Sequence, residues 1–283
     1  MTEKTMAGRV CVVTGGNAGI GKATVIGLAQ RGARVVLVSR TAERGEPALA
    51  EVRTACPAAD VDLVLGDLTT QASVRALADA LLAACPTLHV LVNNAGLWMT
   101  ERTVTPDGFE TTFAVNHLGP FLLTHLLLDR LRASGAARIV NLSSEGHRMG
   151  KIRFDDLQAE RHFDRVRTYC DSKLCNVLFT RRLARELAGT DVITHAVHPG
   201  VVRSDLGRRS SGLVRLGFAL GRPFFKTAEQ GARTSIYVAS APLGMENGLY
   251  FKDSKPCAPA KAALDDAVAD RLWDVSLGMT GLA

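Results

Sequence analysis

The sequence predicts one doubly wound α/β domain spanning residues 1–283, with a parallel seven-stranded sheet flanked by helices. Three observations predict it. Short β-branched runs alternate with stretches of helical period, and the runs are apolar at consecutive positions, as strands covered on both faces require. No internal repeat, low-complexity tract or Pro/Ser-rich linker interrupts the 283 residues.

Taken in order, the first strand is Val10-Cys11-Val12-Val13, followed by a glycine-rich turn and a helical pattern over 20–30. The second is Arg34-Val35-Val36-Leu37-Val38 and the third Val61-Asp62-Leu63-Val64-Leu65, with helical spacing next over 71–84. Val90-Leu91-Val92 is the fourth, and the apolar period over 109–132 predicts one long helix behind it. Arg138-Ile139-Val140-Asn141-Leu142 is the fifth, with a helix over 169–188 before the sixth, residues 192–197. A helix over 227–240 precedes the seventh, Leu249-Tyr250-Phe251. Parallel strands need crossovers of this length, which is why helices separate them.

Composition narrows the function. Residues are 47% hydrophobic and 22% charged, a balance that excludes disorder, collagen and coiled coil. No stretch approaches the ~18 uninterrupted apolar residues of a membrane span, and residues 1–8 lack an apolar leader core, so the expectation is a cytoplasmic protein without a transmembrane segment. Six scattered cysteines, with no Cys-x-x-Cys, predict reduced thiols and no metal. The net charge is +6, and the segment from Arg203 to Lys226 carries six basic residues and one acid. That concentration leaves no basic helix with interleaved aromatics elsewhere, so no nucleic-acid partner is expected. The segment, about 203–226, reads as a substrate lid on its glycines Gly207, Gly212, Gly217 and Gly221. A basic surface helix, or one making weak membrane-surface contact, is the competing reading.

The turn after the first strand reads Thr14-Gly15-Gly16-Asn17-Ala18-Gly19-Ile20-Gly21-Lys22. Glycines there let backbone N–H groups approach a pyrophosphate at a helix N-terminus. The spacing from Gly16 to Gly21-Lys22 also fits a triphosphate-binding loop, but Ala23 stands where a magnesium-binding hydroxyl is needed. At the end of the second strand, Arg40 occupies the place where NAD selection calls for a carboxylate, and its charge suits a 2′-phosphate, with Lys22 as a second candidate cation. A solvated strand end is the plainer explanation of Arg40.

Tyr169 and Lys173 stand four apart, on one helix face. An ammonium beside a phenol stabilises the phenolate, which is acid/base logic, although the same spacing occurs on ordinary half-buried helices. Ser143-Ser144 closes the fifth strand and Asn93-Asn94-Ala95-Gly96 the fourth, both at the carboxyl edge where open α/β sheets bind ligands. Asn116 interrupts an apolar helical run. No Gly-x-Ser-x-Gly elbow surrounds Ser144, which argues against a hydrolase.

Together these motifs resemble the classical short-chain dehydrogenase/reductase family, from about Gly8 to the end. The resemblance implies a Rossmann-type fold. Cofactor contacts would come from Gly15, Gly19, Ile20 and Gly21, from Arg40, from Asp67 and Leu68 at the adenine, and from Asn94, Ala95 and Gly96 beside the ribose. Pro199, Gly200, Val202 and Ser204 would hold the carboxamide, Ser204 standing where Thr is usual. It implies Ser144, Tyr169 and Lys173 as a catalytic triad, Tyr169 and Lys173 also touching the cofactor, with Asn116 holding a water in a proton relay. The 24 residues between Ser144 and Tyr169, with Thr227-Ala228-Glu229-Gln230-Gly231 and Arg271-Leu272-Trp273-Asp274, look like the retinol dehydrogenase branch. The expectation is therefore an NADP(H)-dependent oxidoreductase interconverting a lipophilic aldehyde or ketone and its alcohol, on a small-molecule substrate, in a homo-oligomer (dimer or tetramer). A catalytically silent dinucleotide sensor or scaffold, or an extended-type nucleotide-sugar epimerase or dehydratase, would use the same fold. Filled catalytic positions disfavour the first, and glycine spacing the second.

Overall fold

The alternation of buried side chains along each strand builds the layers. In the computed structural model, which describes residues 4–202, 225–244 and 246–283, Val12 and Val36 face one core while Cys11, Val13, Val35 and Leu37 face another. The strands are β1 (Val10–Thr14), β2 (Arg34–Ser39), β3 (Val61–Leu65), β4 (Val90–Asn93), β5 (Arg138–Leu142), β6 (Ile193–His198), β7 (Tyr250–Lys252) and β8 (Lys255–Cys257). They form one sheet in the order β3-β2-β1-β4-β5-β6-β7-β8, parallel throughout except for β8.

On one face lie α1 (Gly19–Ala29), α2 (Ala42–Ala55) and α7 (Ala228–Ser240), contributing Val25, Leu28, Val52 and Val238 to the core. The other face carries α3 (Gln71–Ala84), α5 (Gly119–Ala133) and α6 (Arg165–Glu186) through Leu77, Phe121 and Phe179, and α8 (Asp266–Thr280) adds Trp273. Among the described residues, no helix is long and apolar enough to cross a membrane.

Three expectations change. The sheet has eight strands, not seven: the added β8 is Lys255-Pro256-Cys257, three exposed residues without apolar alternation. Asp253 and Ser254, with φ of 51° and 59°, make the tight turn that folds it back on β7. Its proline is tolerated because an edge strand has one unpaired side. Secondly, α2 goes unanticipated, since Gly45 and Pro47 interrupt its helical pattern. Thirdly, the predicted helix over 109–132 divides into α4 (Thr111–Phe113), a π-helical turn Ala114–Leu118, and α5. Pro120 has no N–H to send to the carbonyl of Asn116, and the Gly119 N–H reaches instead to the carbonyl of Ala114.

Parallel order with a crossover at each step brings the carboxyl ends of β1, β4, β5 and β6 side by side, and the glycine turn, Asn94-Ala95-Gly96, Ser144 and Pro199-Gly200 follow those ends directly. The proposed lid from 203 to 226 lies almost wholly outside the described residues, as does Ser204; Val202 and Lys226 pair in a parallel bridge.

Candidate active site

The site begins at the glycine turn. Gly15 and Gly19 take φ of 63° and 50°, values open to glycine, and a Cβ on Gly21 would stand 2.2 Å from the Gly15 carbonyl oxygen. The turn is stitched to β4: Asn94 Nδ2 donates to the carbonyl of Thr14 at 2.7 Å, and Thr14 Oγ1 accepts from the N–H of Asn94 and of Ala95, both at 3.0 Å. No side chain caps the N-terminus of α1, and no acid sits in its first turn, so its N–H groups face the turn uncompensated.

At the adenine end, Asp67 Oδ1 accepts from the Thr69 N–H at 3.0 Å and its hydroxyl at 2.6 Å, and Leu68 is buried. Arg40 is exposed and has no hydrogen-bonding or ionic partner among the described residues. Lys22, the second candidate cation, is instead engaged by Glu51 on α2. Beyond β6, Pro199 is buried, Gly200 has a φ of 89°, and Val202 is half-buried.

The chemical end gathers around two glycines. A Cβ on Gly96 would lie 3.3 Å from both Asn116 Oδ1 and Lys173 Nζ; one on Gly146 would lie 3.5 Å from Ser144 Oγ and 3.8 Å from Tyr169 Cε1. Lys173 Nζ sits 5.7 Å from the Tyr169 ring centroid and donates to the Leu142 carbonyl at 3.2 Å. The two adjacent serines divide their work. Ser143 is buried and donates to the Lys173 carbonyl at 2.8 Å, while Ser144 Oγ accepts the Gly146 N–H at 3.1 Å and hydrogen-bonds the Tyr169 phenol.

Electrostatics here depart from the sequence expectation. Burial pushes the Tyr169 phenol up to about 12, against the hydrogen bond from Ser144 that pulls it down. Burial also lowers Lys173, to about 8. At neutral pH the phenol is therefore protonated and the lysine mostly charged, which makes Tyr169 a proton donor before it is a base. Asn116 departs too. Its side chain is spent on the loop after β4, giving Nδ2 to the Leu97 carbonyl at 2.9 Å and to Ser172 Oγ at 3.0 Å, while Oδ1 takes the Leu97 N–H at 2.8 Å.

Two features were not anticipated. Trp98 stacks on Tyr169, centroids 5.2 Å apart and planes 16° off parallel. An aromatic two residues past the Gly96 turn was the available signal. Beneath the site, Asn93 Nδ2 donates to Thr124 Oγ1 and Asn141 Oδ1, and Asn141 Nδ2 to Thr180 Oγ1 and Thr194 Oγ1, a buried polar ladder across β4, β5 and β6.

Residues 9–212 match the family model for short chain dehydrogenase. The chain belongs to that family. Retinol dehydrogenase 12 of Homo sapiens is 49% identical, over 99% of this chain and 89% of its own length. Retinol dehydrogenase 14 of Mus musculus is 44% identical, over 98% and 87%. Among solved structures, an uncharacterized protein from Mycobacterium Paratuberculosis superposes with a TM-score of 0.80 at 33% identity, covering 97% of this chain and 94% of that one. The Pseudomonas aeruginosa RhlG/NADP active-site complex gives 0.70 at 27%, covering 89% and 97%. This short chain dehydrogenase is an oxidoreductase of the retinol dehydrogenase-like branch, acting between alcohol and carbonyl with a nicotinamide dinucleotide. The residues present fit that cofactor. The crowded Gly21 leaves room for backbone alone, and the uncapped start of α1 offers N–H groups to a pyrophosphate.

Proposed function

We propose that the protein is an NADP(H)-dependent dehydrogenase/reductase that interconverts a lipophilic aldehyde or ketone and its alcohol. The observation that carries this is the convergence of Ser144, Tyr169 and Lys173 at the carboxyl edge, with the phenol held protonated. When bound, the nicotinamide supplies a hydride to the carbonyl carbon or takes one back.

In reduction Tyr169 donates its proton to the carbonyl oxygen, and in oxidation the phenolate takes it from the alcohol. Ser144 hydrogen-bonds the same oxygen. Lys173, buried and mostly cationic at neutral pH, stabilises the phenolate and holds the nicotinamide ribose. Pro120, having no N–H, leaves the Asn116 carbonyl without its α-helical bond, which supports its use as a water anchor in the relay.

NADP(H) is supported by Arg40, exposed and without a described partner at the end of β2. The lipophilic substrate is supported by Trp98, half-buried and stacked on Tyr169, and by the names of the relatives. A guanidinium on the 2′-phosphate is worth about 1.5–3 kcal/mol, so kcat/KM should favour NADPH over NADH by about 10–100-fold with hydrophobic aldehydes at fixed salt. Arg40→Asp should reverse the order, chiefly by losing NADPH. Equal use of both cofactors by the wild type, or an unchanged ratio in the variant, overturns the NADP(H) assignment. Absence of turnover across the aldehyde and ketone panel overturns the activity.

A further inference from the structure

The 3₁₀ turn Glu145–Met149 follows Ser144 directly, and each polar group along it is tied to another part of the chain. The His147 ring is central. Its Nδ1 donates to the Ser144 carbonyl at 2.6 Å and its Nε2 accepts the Ala260 N–H at 2.9 Å, so both nitrogens are used and the ring is neutral in one tautomer. It is fully buried and lies 4.7 Å from the Tyr250 ring on β7. Around it, the Glu145 N–H donates to His198 Nδ1 at 3.1 Å, Lys252 reaches Glu145 Oε2 at 3.2 Å, and Arg148 bonds both Glu145 Oε1 and the Ala258 carbonyl.

We infer that His147 is a positioning residue for Ser144: its Nδ1–H holds the Ser144 carbonyl and so aims the Ser144 hydroxyl at the Tyr169 phenol and the substrate oxygen, while the Ala260 N–H on Nε2 fixes the tautomer that leaves the proton on Nδ1. The inference rests on the proposed role of Ser144 in carbonyl reduction. A one-ångström error in such a group is costly, because the hydroxyl must meet both the phenol and the substrate oxygen. The charged groups that face the ring are Arg148 and Glu145, both engaged with partners of their own, and burial keeps the imidazole neutral.

Two isosteres separate its two bonds. In His147→Asn the amide replaces Nδ1 and keeps the bond to Ser144; in His147→Gln the amide replaces Nε2 and keeps only the bond to Ala260. Reduction of one aldehyde is measured with each, alone and combined with Ser144→Ala, at high enzyme concentration so that slow rates are read, with thermal melting and NADPH titration to confirm folding. Asn is expected to stay within about 3-fold of wild type, and Gln to lose about 10–100-fold in kcat with little change in the NADPH dissociation constant. In the Ser144→Ala background the Gln change is expected to add nothing further. The acid limb of the alcohol oxidation profile, which reports loss of the phenol proton, should move to higher pH in Gln, since the Ser144 hydrogen bond is what lowers that group. Equal losses in Asn and Gln, a Gln penalty undiminished without the serine hydroxyl, or an unmoved acid limb overturn the role of His147. Full activity of Ser144→Ala alone would instead overturn the role of Ser144. If Gln fails to fold, Asn and its pH profile decide: a loss beyond 10-fold with an unmoved limb overturns the inference.

Discussion

A phenol held protonated by burial is ready to give a proton, and it must lose that proton before it can act as a base. Tyr169 is such a group, with a hydrogen bond from Ser144 drawing its pKa downward. Oxidation of an alcohol should therefore rise with pH through the alkaline range, while reduction stays near its maximum at neutral pH and falls as Tyr169 ionises. Tyr169→Phe keeps the ring against Trp98 but removes the proton, and kcat should fall by about 10²–10⁴ with NADPH affinity kept. Steady-state kinetics with fluorescence titration of NADPH checks both, and near-normal turnover would remove Tyr169 as donor. Lys22 teaches the complementary lesson. A cation at the right distance in sequence is taken by Glu51, leaving Arg40 as the one of the two candidates without a described partner.

At the scale of elements, the turn after β4 and helix α6 hold each other. Asn116 on the π-helical turn clamps Leu97 from both sides, and Trp98 then lies flat on Tyr169 of α6. A stacked aromatic pair is worth ~0.5–1.5 kcal/mol, or about 2–10-fold in rate if all of it orients the phenol. Trp98→Leu should therefore lower kcat by about that factor with a small aldehyde, while Trp98→Phe keeps most of it. Comparison of kcat for the two variants checks this, and equal rates would mean that Trp98 only fills space. Tyr169 and Trp98 come from elements 71 residues apart in the chain, so this contact is a product of sheet order.

The whole molecule carries several neutral imidazoles in its interior. Burial lowers His195 and His198 to about 4 and His117 to about 3, against an ordinary value of 6.5. Depressed histidines bind protons in the unfolded chain before the folded one, so stability is complete above about pH 6.5 and is lost as the pH falls toward 4. At pH 5 unfolding should take up about two to three protons from these groups. Urea melts between pH 7.5 and 4.5 check the slope; a stability flat across that range would mean that the rings are hydrated in the folded state. The carboxylates in surface pairs, such as Asp266 and Asp270 with Arg181, Arg182 and Arg185, add little, being exposed and screened.

Local chemistry suffices for much of this protein. The apolar runs place seven of its eight strands, the glycines mark the turn before α1, and the four-residue spacing of Tyr169 and Lys173 puts them on one face of α6, because each depends on neighbours within a turn or a strand. What depends on partners far along the chain was decided by the tertiary structure. Strand β8 has no apolar face of its own and exists by pairing with β7. The π-helical turn arises where Pro120 withholds an N–H just as Asn116 is drawn to Leu97. The pKa of Tyr169 follows from burial, which no spacing of charges in the sequence expresses, and it moved opposite to the effect expected from the lysine alone. The division of labour between Ser143 and Ser144, identical side chains one residue apart, was settled by the strand pleat, which turns one toward the Lys173 backbone and the other toward the phenol.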